Sequence, residues 1–226
     1  MKIGEDKIFQ LISSAGVFEQ ISPTNGCSRL LTVAADPCVK VRNIMKTLIS
    51  LIVVLLTFPG SVNAEIEKVA VPCEQKLCFY WWPKLVAVKG WHHDREHSYL
   101  YTVNAQAPDG YSFANAVSVI YAKALYKPRI PKTTSLEMLI KDDKEQFVSR
   151  DPTIAVSEVE ALVTGDGQIL KSFTFFPKEK GNWEQVSYGE EDDFYLIFTV
   201  SSRTKEGFTK TLDAYKQFII RYTEKP

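Results

Sequence analysis

Histidine is scarce in this chain, and its scarcity limits the available chemistry. Three occur in 226 residues, His92, His93 and His97, all within one short stretch. Any Ser-His-Asp or Cys-His constellation would have to draw its base from that cluster. No G-x-S-x-G turn, P-loop or complete G-x-G-x-x-G is present. H-E-x-x-H is missing as well, because Asp94-Arg95 follows His93. A surplus of one charge is also lacking. Six of the 27 basic and four of the 27 acidic residues precede residue 65, which leaves a formal charge of −2 on the remainder. That balance carries no footprint of nucleic-acid or anionic-membrane binding. After residue 64 there is no Asn-x-Ser/Thr sequon, internal repeat or low-complexity tract.

One hydrophobic run is present, and it divides the chain. Arg42 and Lys46 precede Leu48–Phe58 (LISLIVVLLTF), Pro59-Gly60 ends the run, and Val62-Asn63-Ala64 follows. The run is shorter than the roughly 18 apolar residues a membrane span requires. Basic start, short apolar core and small-residue exit predict a signal peptide over residues 45–64, cut between Ala64 and Glu65. A membrane anchor is the competing reading. Residues 1–44, with mixed polarity and no sustained period, are expected to be an upstream extension that is not native and is disordered, with translation starting at Met45. Residues 65–226 then form a single domain, periplasmic or secreted, with no anchor after cleavage. Cys27 and Cys38 fall before the cut; Cys73 and Cys78 remain and predict a disulfide in an oxidising compartment. Closing so short a loop contributes about 2 kcal/mol.

Residues 65–76 read as a polar, extended lead. Leu77–Trp82 (LCFYWW) predicts a strand stopped by Pro83, and Leu85–Val88 a continuation after a bend. Residues 90–97 read as a polar connection. Ser98–Ala105 alternates, with Tyr99, Tyr101 and Val103 on one side, and predicts a strand. Ala116–Leu125 predicts another after the Pro108-Asp109-Gly110 turn. Thr134 and Glu137 form a capping box for a helix with Leu136, Leu139, Ile140 and Phe147 on one face, ended by Asp151-Pro152. Ile154–Thr164 and Gln168–Phe176 flank Gly165-Asp166-Gly167, a hairpin signal. Asn182–Tyr188 and Asp193–Ser201 repeat the pattern. Phe194–Val200 is apolar on both sides but for Thr199, which predicts a central strand. Thr204 caps a last helix whose stripe is Phe208, Leu212, Tyr215, Ile219 and Tyr222. The expected fold is α+β: an antiparallel sheet of about six strands with helices packed on its faces.

Strands, the helix SLEMLIKDDKEQF, a hairpin, the pair NWEQVSYGEEDDFYLIFTVSS and the closing helix TKEGFTKTLDAYKQFIIRY resemble the PsbP-like α/β/α sandwich over about residues 98–222. That family includes extrinsic photosystem II subunits, a Ran-binding nuclear import factor and exported bacterial proteins of unassigned role. The resemblance implies binding and assembly, and no catalytic residue carries over from it. An export signal sets the photosystem and nuclear roles aside.

Three stretches offer chemistry. His93 and His97 are spaced i, i+4, so a helical turn would present both, with His92, to a divalent metal; in a loop they would be a solvated connection. Glu190, Glu191, Asp192 and Asp193 lack calcium-loop spacing and read as a charged turn. Phe79, Tyr80, Trp81 and Trp82 alternate, so two are expected in the core and two in an interaction patch. The function expected is a non-catalytic binding or assembly protein of the cell envelope, partnered by an envelope or extracellular protein. No cofactor is expected beyond a divalent metal at the histidines. The alternatives are a metal-binding periplasmic protein using His92, His93 and His97, and a secreted hydrolase of unrecognised type.

Overall fold

A computed structural model describes residues 66–73 and 76–223, all within one compact unit. The leader at 45–64, the cut between Ala64 and Glu65, residues 1–44 and the cysteines at 27 and 38 lie outside the described residues. Strands run Ile66–Cys73 (β1), Lys76–Pro83 (β2), Trp91–His93 (β3), Asn104–Pro108 (β4), Ser118–Tyr126 (β5), Ala155–Val163 (β6), Ile169–Phe176 (β7), Trp183–Glu191 (β8) and Phe194–Ser202 (β9). Helices are Arg95–Tyr101 (α1), Leu136–Arg150 (α2) and Lys205–Ile220 (α3). The sheet order is β1-β2-β5-β9-β8-β7-β6, with β4 also on β5 and β3 on β4. All pairings are antiparallel.

The chain is α+β, but nine strands replace the sheet of about six, and the α/β/α sandwich expectation needs correcting. One long helix lies on each face of a sheet too wide for it. Strand β3 adds Trp91 beside α3, and Phe113 and Ala116 of the 112–117 segment form a third cluster with Val103, Ala105, Val119 and Tyr121. The difference arises in the N-terminal half. Ile66 and Val69 are buried in what read as a polar lead, and that lead is strand β1, paired with β2 from Ile66↔Pro83 to Cys73↔Lys76. Leu85–Val88 forms no strand. Ser98–Ala105 is divided between α1 and β4. Its alternation loses to a local cap: Asp94 Oδ1 accepts the His97 amide at 3.2 Å and starts a helix there.

The C-terminal half follows its sequence signals closely. Strand β9 pairs with β5 and β8, and its alternate residues enter two cores. Leu196, Phe198 and Val200 pack with Phe208, Tyr215, Phe218 and Ile219 of α3. Ile197 packs with Phe173, Phe175, Val186, Tyr188 and Ile140 of α2. Fully burying such a side chain contributes about 1.5–3 kcal/mol, which makes this two-sided strand the centre of stability. Thr204 caps α3 as its sequence predicts, accepting from the Gly207 amide at 3.0 Å. The cap of α2 is Ser135, one residue later than the capping box; it accepts from Met138 N at 3.2 Å. That shift frees Glu137, which instead meets Lys171 at 2.7 Å. The β6–β7 turn carries Gly167 at φ 91°, the left-handed geometry that Asp-Gly sequences supply.

Candidate functional site

The histidine segment is ordered as the end of β3, a cap residue and the first turn of α1. His93 therefore sits on a strand and His97 on a helix, and the i, i+4 helical geometry does not arise. The three imidazoles go to three different oxygens. His92 Nδ1 lies 3.4 Å from Asp109 Oδ1 at the surface. His97 Nδ1 lies 2.8 Å from Asp94 Oδ2. His93 Nε2 lies 2.8 Å from Ser98 Oγ. Among the described residues, no group of three or more His, Cys, Asp or Glu side chains is placed to hold a metal ion.

Asp94 is the hub of this corner. It is buried, caps α1, accepts the Phe113 amide at 2.8 Å through Oδ2, and donates its own amide to Ala105 O at 2.9 Å. Burial pushes its carboxyl up, but the hydrogen bonds from Phe113 and His97 outweigh burial and hold it below the ordinary carboxylate range. Ser98 is the second hub, fully buried. Its hydroxyl donates to Asp94 O at 2.7 Å and accepts the Ala105 amide at 2.9 Å. With its single proton committed, the oxygen must accept from His93, so Nε2 carries a proton. His93 thus gives a hydrogen bond to the serine where a general base would take one. Burial lowers the His93 pKa, against the opposing charges of Glu67 and Asp94. The corner braces β3, α1, β4 and the 112–116 segment together.

The aromatic stretch is distributed differently. Trp82 is 2% exposed, edge-on to Tyr99 at 5.4 Å, while Phe79, Tyr80 and Trp81 are half-buried. One residue enters the core where two were expected, because β2 meets β5 only at Trp81↔Ala124. Trp81 begins an aromatic run, 5.0 Å from Tyr126 and 6.0 Å from Phe194. Two cations flank it. The Arg129 guanidinium lies 4.5 Å from the Trp81 ring centre and donates to Phe79 O at 2.7 Å. Lys68 Nζ lies 4.5 Å from the Phe79 ring and 5.9 Å from Trp81. Among the described residues, neither cation has a carboxylate partner within ion-pair distance. Sequence reasoning missed both cations: Lys68 lay in the supposed lead and Arg129 in a proline-bracketed link. The Lys68↔Trp81 register joins them only once β1 pairs with β2.

Two members of the acidic turn find their partners within the protein. Lys127 Nζ meets Glu190 Oε1 and Asp192 O, each at 2.5 Å, and Glu191 is buried with the Tyr222 hydroxyl on its carboxylate. Cys73 and Cys78 lie at disulfide distance across the β1–β2 hairpin, with Cα atoms 5.8 Å apart. No helix among the described residues is long and apolar enough to cross a membrane. No family model matches the chain, and no curated protein matches it.

Proposed function

We propose that this chain is an exported binding protein of the cell envelope, and that the Trp81 surface engages an acidic, extended segment of a partner protein. The observation that carries this reading is a half-buried aromatic run flanked by two cations that, among the described residues, have no carboxylate within ion-pair distance. Trp, Tyr and Arg are the side chains that concentrate binding energy at protein interfaces. Cations held over aromatic faces add both charge attraction and fixed geometry. The cysteine pair and the leader support export. The binding and assembly roles of PsbP-like proteins, which the element order resembles, point in the same direction.

A glutamate-rich decapeptide is the first probe. Its titration should quench tryptophan emission saturably, and Arg129→Ala should weaken it about three- to tenfold, as loss of one cation–π and charge contact implies. The affinity should also fall as salt rises. No saturable binding, or binding that ignores both Arg129→Ala and Lys68→Ala, overturns the proposal.

A further inference from the structure

The solvent side of α2 carries a pattern that its own fold does not use. Met138, Lys141, Glu145 and Val148 are all exposed, Met138 at 38% and Val148 at 42%. Their steps of three, four and three residues are those of the a and d positions of a coiled-coil seam, so the four side chains form one stripe along the helix. The buried Ile140 and the core-packed Leu136, Leu139 and Phe147 occupy the other side. Lys141 and Glu145 also border an open groove of ≈390 Å³ between α2 and the β6–β7 strands, floored by Ile140 and Phe173.

The order of the four side chains is symmetric about Asp143. Met138 and Val148 stand five residues to either side of it, and Lys141 and Glu145 two. For a second copy of α2 laid antiparallel about a two-fold axis at that level, every layer is complementary. Met138 meets the partner's Val148, Lys141 meets the partner's Glu145, and the same two contacts recur beyond the axis, as an isologous interface requires. A parallel copy in register would instead set lysine on lysine and glutamate on glutamate. Within one chain the Lys141–Glu145 contact is loose, 3.8 Å between side chains 73% and 66% exposed, so both charges are available to a partner. The flanks limit the strength. Asp142 on one side of the seam and Lys144 on the other each approach their own counterpart near the axis, although the Lys144 amine is drawn aside, 3.4 Å from the centre of the Phe173 ring. Four layers span only about 15 Å of helix, which places the contact among the small, transient interfaces.

We propose that the outer side of α2 is a self-association surface, on which a second copy of this chain packs antiparallel to form a weak two-fold dimer. Met138 and Val148 close its two ends, and two Lys141–Glu145 ion pairs lie between them. The apolar ends supply attraction, and the charged layers fix direction and register, since only the antiparallel arrangement pairs opposite signs.

The test is sedimentation velocity of the protein at concentrations from roughly 10 µM to roughly 1 mM, the range in which a weak dimer forms. The weight-average mass should climb from that of one chain towards that of two. Lys141→Glu and Glu145→Lys each set like charges against one another in both central layers and should weaken association at least about tenfold. An equimolar mixture of the two variants restores opposite charges in every layer and should associate at least as tightly as the parent. That rescue separates loss of the contact from loss of the fold. A parent that stays monomeric at roughly 1 mM, a dimer that Lys141→Glu leaves unaltered, or a mixture no heavier than its components overturns the proposal. The Trp81 surface involves none of these residues, so the two proposals stand or fall separately.

Discussion

The histidine corner and the Glu184 carboxyl beneath α2 are both buried and polar, yet they are built on opposite terms. In the corner, Asp94 accepts two amides and faces one imidazole, and the Ser98 hydroxyl has three partners. Beneath α2, Glu184 accepts the Ser201 hydroxyl and faces the Asn182 amide, and burial still raises its carboxyl to about 7. Several donors on one carboxylate fix backbone and keep it charged; a carboxyl buried with fewer donors is pushed towards its neutral form. Histidines drew attention because they are rare, but rarity in sequence did not mean availability in space.

The largest expected effect comes from breaking the corner. Asp94→Ala removes the α1 cap and strands the Phe113 amide, which together cost about 3 kcal/mol. Urea denaturation measures it, and a loss below about 1 kcal/mol would mean that the network is not cooperative. Next is the opposite effect at Glu184. Glu184 has its pKa raised above the 4.5 of the unfolded chain to about 7, so the folded state holds the extra proton. Stability from this group is therefore full below pH 4.5 and falls as pH rises to about 7. Glu184→Gln should be the more stable protein at pH 8 by up to about 3 kcal/mol, and equal to the parent near pH 4. Thermal melts across that range will show the difference narrowing as the pH is lowered.

Ser98→Ala should cost about 2 kcal/mol, since it removes the acceptor of the Ala105 amide and of His93. The corner also has a pH signature of the other sign. The folded pKa of His93 lies below 6.5, so the unfolded chain takes up its proton first and stability falls on acidification through 6.5. In the Glu184→Gln protein this loss is no longer opposed by Glu184, and on further acidification the depressed carboxyl of Asp94 adds to it. The smallest effect on stability is expected at the surface. Arg129→Ala should change the stability read from urea denaturation by less than about 0.5 kcal/mol while weakening the acidic peptide several-fold, because Arg129 is exposed.

What was legible in the sequence was whatever depended on period and punctuation. Phe194–Val200 had to be central because it is apolar on both sides, and the Phe208–Ile219 stripe had to be a helix on one of its faces. The N-terminal half was less legible because pairing decides it. Ile66–Cys73 is a strand by virtue of its partner β2, and Ser98–Ala105 alternates yet yields to the cap at Asp94. The buried acid left one trace in the sequence. Glu184 stands in phase with Val186 and Tyr188, an acid on a strand's inward side, and that mismatch was the available signal. The cations over Trp81 left none, since Lys68 and Arg129 are 61 positions apart and meet only through the sheet.

The split edge of β5 has a mechanical consequence. Strand β9 holds β5 along its whole length, from Ser118↔Ser202 to Tyr126↔Phe194, whereas β2 is joined to it at the single position Trp81↔Ala124. The β1–β2 hairpin is thus joined to β5 by one ladder position and otherwise by the buried Ile66, Val69 and Trp82 and by Asn104 Nδ2 on Pro83 O, and that ladder position is the centre of the proposed recognition surface. With so short a ladder to β5, the amides of the hairpin should exchange hydrogen faster than those of β5 and β9. A partner that clamps Trp81 adds contacts where the ladder is shortest, and the slowed exchange of the hairpin would report occupancy.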